Sequence, residues 1–180
     1  MKPRGPLMRE HRLIERMIAL MDREMSRMRT EKKADPLFID RAVDFIRTYA
    51  DRTHHGKEED ILFKVLAGKE MDGHHRLLME ELLEDHRFGR KVVGELVEAR
   101  NRYAAGDGDA LSVILERFAV LAEFYPRHIV KEDRDFFPGT EKYLSAAEQE
   151  AMLTNFVAFD MMMIHEKYEK DVAAQEEGKS

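Results

Sequence analysis

Cysteine and tryptophan are both absent from this chain of 180 residues. Without thiols there are no disulfides, no thiolate zinc sites, no iron–sulfur clusters and no covalent c-type haem. Any metal must therefore be held by nitrogen and oxygen. A basic excess is also missing: 30 Lys and Arg stand against 36 Asp and Glu, a formal charge of -6. That excludes the cationic stripe needed to bind nucleic acid or an anionic membrane surface. No uncharged run approaches the roughly 20 residues of a membrane span, and residues 1–9 lack the apolar segment of a signal peptide. The expectation is a cytoplasmic protein, monomer or homodimer, with no nucleic-acid or membrane partner. Glycine and proline are sparse (10 and 5) while charged residues reach 37%, a balance that suits long amphipathic helices in one domain over 1–180. Its core is expected over about 7–172, with a polar tail at 173–180.

The punctuation divides the chain into helices. Gly5-Pro6 opens the first, which reaches about Arg29, and Asp35-Pro36 opens a second as N-cap and first-turn proline, reaching about Leu66. A third spans about Asp72 to Ala105 and stops at Gly106-Asp107-Gly108. The fourth starts near Asp109 and ends before Pro138-Gly139, with Pro126 expected to kink or break it. Ser145 and Glu148 fit a capping box that opens the last helix. Long helices joined by short turns make antiparallel neighbours, so the fold class expected is all-α: an up-down antiparallel four-helix bundle with an additional C-terminal helix. Twelve methionines are read as core filler rather than as a binding surface.

Histidines fall where apolar residues should be. The buried stripe of the first helix reads Leu7, His11, Ile14, Ile18, Met21, Met25, Met28, at alternating spacings of four and three. In the second it reads Val43, Ile46, Ala50, His54, Glu58, Ile61, Val65, and in the fourth Ile114, Phe118, Leu121, Tyr125, His128, Glu132, Phe136. The third contributes Leu78, Leu82, His86, Gly89, Val93, Leu96. One His-x-x-x-Glu pair is as common on an exposed face. Two such pairs on core stripes, joined by single inward histidines from two other helices, are far more specific. A lone buried carboxylate costs several kcal/mol of desolvation, so Glu58 and Glu132 require a compensating cation. Two carboxylates and four imidazoles exceed what one ion takes while keeping an open position, which favours two carboxylate-bridged ions.

At these residues the chain resembles the hemerythrin-like family of HHE cation-binding domains. The segments that carry the likeness are Leu7-Met8-Arg9-Glu10-His11, the run from His54-His55-Gly56-Lys57-Glu58 to Phe63, Glu84-Asp85-His86-Arg87-Phe88-Gly89-Arg90, and His128-Ile129-Val130-Lys131-Glu132 leading to Phe136-Phe137-Pro138. The resemblance implies two non-haem iron ions, with His11, His54, His86 and His128 as terminal ligands and Glu58 and Glu132 as bridges. It departs from the oxygen carriers at Leu82, where they place another histidine. It departs again at Glu132, since they use an aspartate five residues after the fourth-helix histidine, the place of Asp133; i+4 keeps Glu132 on the ligand face. For a fifth nitrogen the likeness points to the run Met161 to Tyr168 and hence to His165. That residue falls opposite the stripe Met152, Phe156, Phe159, Met163, which leaves both a ligand and a surface or supporting histidine open. His55, one residue off its stripe, is expected behind a ligand or at the surface. His75 lies about three turns from His86, too far for the same cluster.

The family implies binding of dioxygen or a related small molecule such as nitric oxide or peroxide, in carriage, sensing or iron handling. The alternatives are a di-iron oxidase or peroxidase and a protein that repairs damaged iron clusters. No histidine here is preceded at three residues by glutamate, the pairing of ferritin-like oxidases, and the repair proteins carry a cysteine-bearing segment. A non-enzymatic binding role is the preferred reading. Tyr125 and Tyr49 are expected to be packed bundle tyrosines.

Overall fold

The computed structural model describes residues 2–176, except for the side chains at 164–166 and 168–176. Those residues form an all-helical bundle. Helix α1 is Arg4–Glu31. Helix α2 covers 36–67 and α3 is Gly73–Ala104. Helix α4 covers 110–140, and α5 is Ala146–Glu176. Asp35 caps α2 by accepting from the Phe38 amide at 3.1 Å, and Asp72 caps α3 by accepting from His75 at 2.9 Å. The capping box is reciprocal, with the Ser145 amide donating to Glu148 and the Glu148 amide to Ser145 Oγ. Pro126 does not break α4: it lies on the exposed face, where water can serve the carbonyl left without a donor.

The unexpected feature is helix type. Within α2 the segments Ile46–His55 and Glu58–Phe63 are π-helical, as is Lys131–Phe136 within α4. The Gly56 amide, for example, donates to the Asp51 carbonyl five residues back. A π turn adds a residue to the ladder and shifts everything beyond it by one position around the axis. The α-helical stripe expected in α2 therefore slips: Leu62 and Leu66 are buried where Ile61 and Val65 were expected, and Ile61 and Val65 are only half-buried. At the slip, both His54 and His55 turn inward.

The core is two apolar clusters with a polar layer between them. One holds Ile14, Ile18, Ala50, Val93, Leu121, Tyr125 and Ile129, the other Leu7, Leu62, Phe63, Leu82, Phe136 and Phe156. Along α1, His11 lies between Leu7 of one cluster and Ile14 of the other; along α3, His86 lies between Leu82 and Val93. Helix α5 closes one side. The Phe159 ring approaches Gly56 so closely that an added Cβ would stand 2.7 Å from Cζ.

Candidate metal centre

Seven side chains converge in the polar layer. His55, His86 and His128 form one group and His11, His54, Glu58 and Glu132 another, each offering ligand atoms within 4.8 Å of one another. All seven are at most 2% exposed. The two glutamates lie between the groups. Glu58 Oε1 is 3.4 Å from His54 Nε2, while its Oε2 is 3.4 Å from His86 Nε2. Glu132 repeats this, with Oε2 at 3.1 Å from His11 Nε2 and Oε1 at 3.3 Å from His128 Nε2. Each carboxylate thus presents one oxygen to each group.

The outward nitrogens explain why the inward ones are directed at the centre. His11 Nδ1 meets Asp133 at 2.7 Å, His54 Nδ1 meets Glu10 at 2.8 Å, His86 Nδ1 meets Glu59 at 2.7 Å and His128 Nδ1 meets Asp85 at 3.2 Å. His55 Nδ1 lies 3.4 Å from Asp51, one turn back on its own helix. A proton on Nδ1, donated to a carboxylate, leaves the Nε2 lone pair directed into the bundle, the tautomer that ligates metals. Four of these carboxylates pass around the bundle in sequence. Glu10 of α1 holds the α2 histidine, Glu59 of α2 that of α3, Asp85 of α3 that of α4, and Asp133 of α4 closes the ring on α1. Each is the chain neighbour of a residue facing the centre: His11, Glu58, His86 and Glu132.

The fit to a cation can be tested on the atoms left over. Both oxygens of Glu58, both of Glu132, and Nε2 of His86 and His128 are buried without a hydrogen-bond partner. Buried polar atoms are rarely orphaned, and here six converge on one place. In the same place His11 Nε2 faces His54 Nε2 at 2.8 Å. Two nitrogens at that distance need a proton or a metal ion between or beside them.

Without a metal, protons take the cations' place. Burial, with the charge of Glu132 beside it, pushes the Glu58 carboxyl up to about 8. Glu132 is itself held well below the carboxylate range: burial opposes this, and the imidazoles of His128, His11 and His86 outweigh it. His11 is pushed up to about 10, because Asp133 and Glu132 overcome the burial that works against its charge. His55 falls to about 3 through burial and the charge of His86. The outer Glu59 drops to about 2 despite partial burial, held by His86 and Arg90.

His11, His54, Glu58, His86, His128 and Glu132, all singled out in the sequence, are brought together. His165 lies in α5 with its side chain outside the described residues. The fifth imidazole at the centre is His55, neither exposed nor behind a ligand, because π-helical geometry narrows the angle between consecutive side chains. Its signal in the sequence was the His-His doublet itself. Asp133, the alternative to Glu132, stands behind His11. Tyr125 is buried and lines a cavity of about 220 Å³ together with His55 and His86, whereas Tyr49 faces a different cavity. His75 is occupied far from the centre by Asp72 and Tyr143.

No helix among the described residues is long and apolar enough to cross a membrane. Neither the curated proteins nor the solved structures contain a significant match to the chain. The family model of the hemerythrin HHE cation-binding domain matches residues 4–139, which include α1 to α4 almost entirely and all seven converging side chains. By that match, over most of its length, the chain belongs to the hemerythrin HHE cation-binding domain family.

Proposed function

We propose that this bundle, in an up-down arrangement with α5 added, holds two non-haem iron ions and binds a small molecule such as dioxygen, nitric oxide or peroxide at them. His55, His86 and His128 would hold one ion and His11 and His54 the other, with Glu58 and Glu132 available to both. The observation that carries this is the convergence of orphaned buried oxygens and nitrogens between two histidine groups, one of three and one of two. Nitrogen and carboxylate oxygen without sulfur suit iron, as they do manganese and zinc. Bound iron would supply redox-active positive charge. The two-histidine side has one nitrogen fewer, which leaves room for an exogenous ligand there.

The residues themselves do three things. Glu58 and Glu132 bring negative charge that protons hold in place until ions replace them, so uptake releases protons. The outer carboxylates fix each imidazole in its ligating tautomer. The apolar clusters above and below keep bulk water from the centre. A ferritin-like oxidase is less well supported, because the site is rich in histidine and has only two inward carboxylates.

Metal analysis after expression in iron-sufficient medium should give close to two irons per chain. Anaerobic reduction followed by air should then give a visible band that disappears again on deoxygenation. Steady turnover with peroxide release would transfer the protein to the oxidases. A metal-free protein whose stability is indifferent to iron would end the proposal.

A further inference from the structure

Each carboxylate of the ring is gripped from two sides. The histidine it holds sits on the next helix around the bundle, and so does a cation that holds the carboxylate from behind. Arg12 contacts Asp133, Lys57 contacts Glu10, Arg90 donates to Glu59 at 2.6 Å and Lys131 to Asp85 at 2.8 Å. These cations stand one, three, four and three residues after His11, His54, His86 and His128: Lys57, Arg90 and Lys131 lie about one turn on, on the side of their histidine, and Arg12 is the next residue round from His11.

Arg12 and Lys131 each meet one further acid, Glu15 and Glu81, and neither acid holds a histidine of the centre; the other two cations do more. Lys57 is fully buried, at 0% exposure, and its Nζ also donates to Asp160 of α5 at 2.6 Å. Its charge is shielded from solvent and salt, so its grip on Glu10 is stronger than that of a surface pair. Arg90 is more exposed, but its rigid fork spans two carboxylates, reaching Asp51 at 2.8 Å through Nε and Glu59 through Nη2. Those are the partners of His55 and His86, both in the three-histidine group.

We infer that Lys57 and Arg90 are positioning residues that govern the two halves of the metal centre separately: Lys57 the two-histidine half through Glu10 and His54, Arg90 the three-histidine half through Asp51, Glu59, His55 and His86. This rests on the proposed two-metal reading. The physical basis is that an outer carboxylate freed from its cation can turn toward solvent, and its imidazole then loses both orientation and basicity. Changes at such supporting groups weaken metal binding by about 10- to 100-fold.

The test uses the full chain loaded with ferrous iron or zinc and titrated with a competing chelator, reading metal retained per chain. Wild type should lose its two metals at characteristic chelator concentrations. Lys57→Met should lose one of them at a chelator concentration at least tenfold lower, with the other held as in wild type. Glu10→Gln should reproduce that result, and combining the two should add little. Arg90→Met should instead weaken the second metal while sparing the first.

Asp160→Asn separates this from simple docking of α5, because it removes the charge that Lys57 meets on α5 but leaves Lys57 on Glu10. It should keep both metals near wild-type affinity. Should Lys57→Met not fold, Glu10→Gln carries the same prediction. Equal weakening of both metals by Lys57→Met, loss by Asp160→Asn matching that of Lys57→Met, or wild-type affinity in Glu10→Gln would each overturn the inference while leaving a two-metal wild type intact. A wild type that takes up no metal would overturn the two-metal reading first and this one with it.

Discussion

Replacing Glu58 by Gln should stabilise the metal-free protein and cripple the metal-loaded one. In the unfolded chain the Glu58 carboxyl titrates at its ordinary value of 4.5, whereas burial beside Glu132 raises it to about 8 in the folded chain without metal. A group with a raised folded value supports folding fully below 4.5 and loses that support as pH climbs toward 8. At pH 7 the folded protein must bind a proton that the unfolded chain does not hold. At about 1.4 kcal/mol per pH unit this costs about 3 kcal/mol. Glutamine has nearly the same shape and leaves a similarly unpartnered polar group, but it needs no proton. Urea denaturation in excess chelator should therefore show Glu58→Gln more stable than wild type by up to about 3 kcal/mol at pH 7, and by under about 1 kcal/mol at pH 5. With iron or zinc present the order should reverse, since the variant offers one carboxylate fewer to a metal. A variant less stable than wild type without metal, or a gain that does not shrink between pH 7 and 5, would mean that Glu58 takes up no proton on folding.

Other substitutions probe other links. His55→Leu removes one nitrogen from the three-histidine group and should lower metal affinity at least tenfold in chelator competition while leaving the metal-free melting temperature unchanged or higher; wild-type affinity would mean that His55 is not a ligand. Gly56→Ala should drive a methyl into the Phe159 ring, which stands 2.7 Å from the added Cβ, and cost about 1–3 kcal/mol by denaturant titration, as overpacking does. Protection of α5 amides in hydrogen exchange should fall with it. Ser145→Ala removes the α5 N-cap, whose oxygen accepts from the Glu148 amide at 3.3 Å, and should cost about 1 kcal/mol with no change in metal content.

The helices are legible in the chain alone, through caps at Asp35 and Ser145 and the break at Gly106-Asp107-Gly108, and so are six of the seven converging residues, because a 3.6-residue period puts His11, His86 and both His-x-x-x-Glu pairs on apolar stripes. Those are local properties: a cap and a stripe depend on neighbours within a turn or two of the chain. The tertiary structure alone decided the seventh. Whether α2 continues as α or widens to π turns on what packs around it, and widening brought His55 inward while shifting burial from Ile61 and Val65 to Leu62 and Leu66. It also decided the ring of supporting carboxylates. In the sequence Glu10, Glu59 and Asp85 each look like an ordinary surface acid and Asp133 like an alternative to Glu132, and the histidine that each one holds belongs to a different helix, a pairing that exists only once the helices stand side by side.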